Sequence, residues 1–256
     1  MRKYLLILLV LICCRISAQK SVKITYEQKF FYSDAFFNQV PGGASEEFKA
    51  AFRKPKVFEL TNNSEYSLFK STAEKDIVIP SSEVSTATDI NRGTFVKPYN
   101  VWILKDFTKM STIKSTTVEG QEYYVEQPFT NNDLKYDKRT KVIDGYTCLS
   151  AFKISAKNDT IQYWYTQDIP IIDGPFTMSA IPGLVLSTES KKNVVYVTKI
   201  EFFDKKLVVD GINKKTPFVT ELELKNKIEE SRKPKSYTDE FGGKHETNTV
   251  TIKNEN

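Results

Sequence analysis

Apolar and polar residues alternate along much of this chain with a period of two. Val22, Ile24 and Tyr26 alternate with Lys23, Thr25 and Glu27, and Phe30 and Tyr32 keep the phase, as in a half-buried strand. The same pattern predicts strands at 56–60, 66–71, 100–105, 108–114, 121–127, 145–155, 160–165, 184–188 and 194–203. Asn158-Asp159 falls between two of them as a hairpin turn. Short neighbouring strands with polar turns predict a mainly β protein, an antiparallel meander. Its many aromatics suit a curved sheet or an open, bowl-like half-barrel. The period changes to that of a helix twice. Over 45–53, Ser45 is the N-cap and Phe48, Ala51 and Phe52 share one face; over 221–231, Thr220 and Glu223 have capping-box spacing and Pro234 follows. Both helices are only partly amphipathic, which predicts packing against a sheet. Residues 76–92 read as a long loop, and 232–256 as a polar tail with a short strand at 249–253.

The stretch 161–188 breaks the alternation. It enters as the aromatic strand Tyr163-Trp164-Tyr165, crosses Pro170, Pro175 and Pro182, and leaves as Leu184-Val185-Leu186. Pro170 removes a backbone donor, so the strand ends there. Asp173-Gly174-Pro175 is a turn signal, and Pro182-Gly183 suits a type II turn. Ile171, Ile172, Phe176, Met178 and Ile181 make the connection too apolar for a solvated loop. A loop of that composition lies on a core or closes a cavity.

These residues also carry a resemblance. Trp164-Tyr165-Thr166, Ile169-Pro170, Gly174-Pro175 and Ala180-Ile181-Pro182-Gly183-Leu184-Val185-Leu186 resemble the signature of the GLPGLI family, exported proteins of Bacteroidetes-type bacteria. Ala180 stands for the first Gly of the motif, Ile181 for its Leu and Val185 for its final Ile. Upstream, the segment 141–148, which ends in Gly145-Tyr146-Thr147-Cys148, resembles the second recurring segment of that family. The resemblance spans 141–186 and implies one β-rich domain of this type over 20–231, with no assigned activity. A bowl-shaped β-domain attached to some bacterial glycan-processing enzymes is similar to the family, which brings glycans into view.

The first residues read as an export signal covering 1–19. Arg2 and Lys3 precede the apolar run 5–14, and cleavage falls after Ala18 or Gln19. The run is too short to span a bilayer, and no later segment is apolar enough for a transmembrane helix. The expected location is therefore periplasmic or secreted. The signal carries Arg2, Lys3 and Arg15 and no acid, so the net charge of +5 drops to about +2 on processing. A nucleic-acid partner loses its electrostatic basis. Cys13 and Cys14 leave with the signal, and Cys148 remains alone in a strand pattern, a small buried hydrophobe without an internal disulfide partner. The sole histidine, His245, sits in the polar tail, so neither a thiolate–imidazole pair nor a zinc site is expected. No cofactor is implied, because there is no phosphate-cradling Gly-rich loop, dinucleotide fingerprint or Gly-x-Ser-x-Gly elbow.

Two kinds of chemistry remain. Asp168 and Asp173 flank Ile169-Pro170 beside the aromatics, and paired carboxylates with stacking rings are what glycoside cleavage needs. The plainer reading makes Asp173 a turn starter and Asp168 a solvated strand end. Trp102, Tyr163, Trp164 and Tyr165, with the motif residues Pro170, Gly174, Pro175, Pro182, Gly183 and Leu184, could line a concavity for an apolar or glycan ligand. The plainer reading makes these rings core. Asp159-Thr160-Ile161 resembles an O-glycosylation acceptor of Bacteroidetes at a hairpin tip. Taken together, the leading expectation is an exported, non-catalytic binding or accessory protein. Its partner would be a small apolar, lipid or glycan ligand, or an envelope protein. A carboxylate-dependent glycan hydrolase and a purely structural envelope protein are the alternatives.

Overall fold

In a computed structural model the alternating residues form β1 (Ser21–Phe30), which pairs on one side with β2 (Lys56–Asn62) and on the other with the last strand of the main sheet. The described residues are 21–39, 43–72, 77–79, 94–96, 100–130, 133–233, 235–238 and 244–247; the signal and the strand expected at 249–253 lie outside them.

From β2 the chain continues through β3 (Tyr66–Ser71), then β4 (Ile77–Ile79) and β5 (Thr94–Val96), which pair only with each other. It returns to the main sheet with β6 (Trp102–Asp106), β7 (Ser111–Val118) and β8 (Gln121–Pro128). A second meander follows: β9 (Lys135–Ile143), β10 (Tyr146–Ile154), β11 (Thr160–Thr166), β12 (Leu184–Glu189) and β13 (Asn193–Phe203). β1 and β13 join the two meanders into one antiparallel sheet of 11 strands, in the order β8-β7-β6-β3-β2-β1-β13-β12-β11-β10-β9.

That order forces curvature. Strands sit about 4.8 Å apart, so a flat sheet would separate its two edges by roughly 48 Å. The chain must nevertheless pass from the end of β8 to the start of β9 between Pro128 and Lys135, which bridges at most about 24 Å. The sheet therefore curls until its edges approach, an open bowl rather than a plane. Register shifts at Thr25/Tyr26, Leu149/Ser150 and Trp164/Tyr165 supply local bends and added twist.

The core lies inside the curl. Val22, Ile24, Tyr26, Phe58, Leu60, Phe69, Ile103, Cys148, Trp164, Leu184 and Leu186 form one buried cluster. Beside it Tyr163, Tyr165, Ile181 and Val185 pack with Ala151, Tyr163 being in register with Thr188 and Val195. The opposite face is covered where Leu68, Leu104, Ile113 and Tyr124 pack with Val209 and Ile212.

The helix Glu46–Arg53 starts where its cap predicts, with the Ser45 hydroxyl accepting from the Phe48 N–H at 3.2 Å. With the short helix Asp34–Phe37 it builds an aromatic cluster of Phe36, Phe37, Phe48, Tyr32 and Phe52. The helix Glu221–Ser231 has the full Thr220–Glu223 capping box and lies on β7 and β8 without burying a residue. β9 does not appear among the predicted strands, nor does the hairpin of β14 (Lys235–Thr238) and β15 (Lys244–Thr247) in the tail.

Candidate functional site

The connection between β11 and β12 lies on the core, held by a buried ion pair. Lys105 of β6 sits on the same strand phase as Ile103, which points into the curl, and its side chain is fully buried with that of Asp173. Its ammonium donates to Asp173 Oδ1 at 2.6 Å, to the Gly174 carbonyl at 2.6 Å and to the Met178 carbonyl at 2.7 Å. Three donors meet three acceptors, the geometry a buried lysine needs. The Asp173 carboxylate is equally occupied: Asn62 Nδ2 donates to Oδ2 at 2.7 Å and the Gly174 N–H to Oδ1 at 2.7 Å. Burial pulls the Lys105 ammonium below its usual range, against the attraction of Asp173. Burial first, and then the Asp173 charge, push the Tyr26 phenol well up, so it stays a neutral donor to the Val185 carbonyl at 2.7 Å.

The motif residues have separate local reasons. Ile171 N–H bonds to the Ile169 carbonyl and Gly183 N–H to the Ile181 carbonyl, both at 2.8 Å. These three-residue turns centre on Pro170 and Pro182, whose fixed φ suits them. The type II turn expected at Pro182-Gly183 is therefore replaced by a tighter one. Gly183 has φ +152°, and a Cβ there would overlap the Thr166 carbonyl. Gly174 is required by space: a Cβ would lie 2.7 Å from Val185 Cβ. Between them Asp173 bridges to Leu184, with Val185 N–H bonded to the Asp173 carbonyl at 2.9 Å.

The predicted residues fall into distinct surroundings. Asp168 is exposed, whereas Asp173 is 2 % exposed and tied to Lys105 and Asn62. The two carboxyls are not a free pair on one groove. Burial seals one, and the strand end leaves the other in water. Trp164 is buried in the main core beneath Lys141 and Arg139, 5.2 and 5.8 Å from its ring. Leu184 is in the same core, Tyr165 packs with Ile181 and Val185, and Pro170 and Pro182 are exposed. Cys148 is buried, which pushes its thiol up to about 11, and Thr160 is exposed at the start of β11.

Two clefts open beside these elements. Tyr163 and Pro175 line one of about 280 Å³, with Gln28 of β1 and Thr188 of β12. Trp102 lines another of about 680 Å³, together with Lys70, Asn100, Ser115, Glu119 and Glu122. The Trp102 ring is held by stacking on Tyr124, centroids 5.2 Å apart. Glu122 is fixed by Ser115 and Thr216 at 2.5 and 3.1 Å, and Ser71 Oγ meets Asn100 Oδ1 at 3.1 Å. The second cleft thus joins an indole to fixed hydrogen-bonding groups of both kinds.

Sequence reasoning did not single out Lys105, Asn62, Tyr26 or Gln28. For Lys105 a signal was present, a lysine at a core-phase position of a strand. Among the described residues no group of three or more His, Cys, Asp or Glu side chains could hold a metal ion, and no helix is long and apolar enough to cross a membrane.

Residues 62–225 match the model of a family described as N-glycanase peptide, N-terminal domain (PNGase_F-II_N). Two solved structures of PNGF-II, in P21 and C2 space groups, share the fold at TM-scores of 0.55 and 0.52, with 17 % and 16 % identity. The alignment covers 86 % of this chain and 35 % of each of those, so the chain spans about a third of their length. No curated protein sequence matches.

Proposed function

Because the chain belongs to the PNGase F-II N-terminal domain family, we propose that it is an exported, non-catalytic accessory protein that binds glycan in the Trp102 cleft. The observation that carries this reading is the composition of that cleft: an indole beside the Asn100 amide, the Glu119 and Glu122 carboxylates, and the Ser115, Thr116 and Thr117 side chains. Sugars offer a C–H face to aromatic rings and hydroxyls that both donate and accept. The family name, an N-glycanase, supports a glycan over a lipid. The alternative hydrolase built on Asp168 and Asp173 draws no support, since Asp173 is sealed by Lys105. Export rests on the pattern of residues 1–19, and the GLPGLI-like segment 141–186 lies within the matched span 62–225, where it acts as a rigid wall.

The chain has two tryptophans, and Trp164 is only 8 % exposed. Titration with a panel of oligosaccharides, followed by tryptophan emission, therefore reports on Trp102. At least one glycan should shift the emission, and Trp102→Phe should abolish the shift and weaken binding by calorimetry about 2- to 10-fold. No response to any glycan, or undiminished calorimetric binding by Trp102→Phe, overturns the reading.

A further inference from the structure

The cleft of about 280 Å³ beside the motif loop contains a feature that its packing does not explain. Gln28 lines it, is only 5 % exposed, and its Oε1 has no hydrogen-bond partner. A buried amide oxygen left unpaired is costly, and in a native fold it calls for a partner. From this orphan acceptor and its surroundings we infer that the cleft binds a single neutral sugar residue, one of whose hydroxyl or amide N–H groups donates to Gln28 Oε1.

Three properties of the walls select that ligand. First, the acceptor is neutral and the ionisable groups lining the cleft are Lys153 and Tyr163; no carboxylate lines it. Burial pushes the Tyr163 phenol up to about 12, so it remains uncharged. A cationic ligand would find no counter-charge here. Secondly, Ile161, Tyr163 and Met178 give the lining an apolar part, while Asn193 adds an amide and Thr188 and Ser190 add hydroxyls. That division matches a pyranose, with its C–H face and its hydroxyl rim. Thirdly, the volume lies at the lower limit for small-ligand pockets, which suits one ring rather than a chain.

The roof is already set. Pro175–Met178 closes as a turn, Met178 N–H to the Pro175 carbonyl at 3.2 Å, with Phe176 at φ +55°. A non-glycine residue in the left-handed region persists only where its surroundings hold it. Here the Phe176 ring packs on Phe58 and Phe69, centroids 5.6 and 4.9 Å away, and Lys105 grips the carbonyls of Gly174 and Met178. A ligand entering beneath this roof has no loop to order, which lowers the cost of binding. The buried ion pair thus acts as a positioning device for a site that it does not touch.

The choice of sugar rests on the glycan reading, but the site is separate from the Trp102 cleft and is tested separately. The full chain, 15N-labelled, is titrated with glucose, mannose and N-acetylglucosamine at millimolar concentration, each alone. One of them should shift the Gln28 side-chain amide and the Phe176 and Met178 backbone amides. Gln28→Leu, which keeps the volume and deletes the acceptor, should weaken that response about tenfold. Thr177→Tyr, which fills the mouth from the rim, should abolish it, and this variant decides the matter if Gln28→Leu does not fold. Trp102→Phe should leave the response unchanged. The inference is overturned if none of the three sugars shifts these signals, or if Gln28→Leu or Thr177→Tyr binds like the parent. Shifts confined to Asn100 and Trp102 overturn it while leaving the reading of that cleft intact. Shifts at Gln28 with none at Trp102 uphold it, and the reading of the Trp102 cleft then stands or falls on the oligosaccharide titration.

Discussion

Two long connections cover the sheet, and they are held in different ways. Residues 167–183 are fastened from beneath: a buried lysine reaches up through the core to a carboxylate and two carbonyls, and two glycines allow the backbone to press against its neighbours. Residues 204–220 are fastened along their margin. Leu207 N–H bonds to Ser21 Oγ at 2.8 Å, Asn63 Nδ2 to the Leu207 carbonyl at 3.0 Å, and Asn213 N–H to the Tyr124 hydroxyl at 3.2 Å. Val209 and Ile212 pack on the sheet, yet Val208 is 89 % exposed and Phe218 49 %. Anchorage through one buried charge is all-or-none, because no water can replace a lost partner. Anchorage through several half-exposed hydrogen bonds is graded, because water can take each place in turn.

This contrast predicts an order of effects. The largest belongs to Lys105→Met, which strands the Asp173 carboxylate and the Gly174 and Met178 carbonyls in the core. It should lower the unfolding free energy by about 3–5 kcal/mol in urea melts. Adding Asp173→Asn should recover part of that loss, because the uncompensated charge disappears. Additive losses would show that the pair acts as two independent groups. Next comes Gly183→Ala, where a methyl meets the Thr166 carbonyl at a φ that L-residues avoid; about 2–4 kcal/mol is expected by thermal unfolding. A loss below ~1 kcal/mol would mean that the turn relaxes freely. The smallest effect should follow Asn63→Ala. It removes one partly buried bond to Leu207 and should cost about 1 kcal/mol. Hydrogen exchange should then quicken in 204–213 while Val185 stays protected. Faster exchange at both places would erase the distinction between the two anchors.

The sequence made most of this sheet legible because its strands are amphipathic. β3 and the helix Glu221–Ser231 fall at the predicted residues, and the other strands predicted between residues 22 and 203 lie within a few residues of their observed ends. The strand β9, Lys-Tyr-Asp-Lys-Arg-Thr-Lys-Val-Ile, escaped because neither of its faces is buried, so no alternation marks it. The central connection was legible as a loop laid on a core, since Ile169 and Ile181 are 2 % and 1 % exposed. Its fastening was not, because Lys105 lies far from Asp173 along the chain and only the fold brings them to 2.6 Å. Likewise the aromatics Tyr163, Trp164 and Tyr165 could be assigned to a strand but not to a side. The pleat sends Tyr163 and Tyr165 to one side and Trp164 to the other, and the register shift, which leaves Leu186 of β12 unpaired, sets Val185 opposite Tyr165.

The two rims of the sheet carry a last lesson. β8 is partly roofed by Pro217–Val219, which takes up the backbone groups of Tyr124. β9 is studded with Lys135, Asp137, Lys138, Arg139 and Lys141. A copy of the chain seeking to add a strand meets a ladder blocked at Tyr124 on one side and a hedge of charge on the other. The bowl is thereby kept from growing into a fibril by strand addition even though its rims never join.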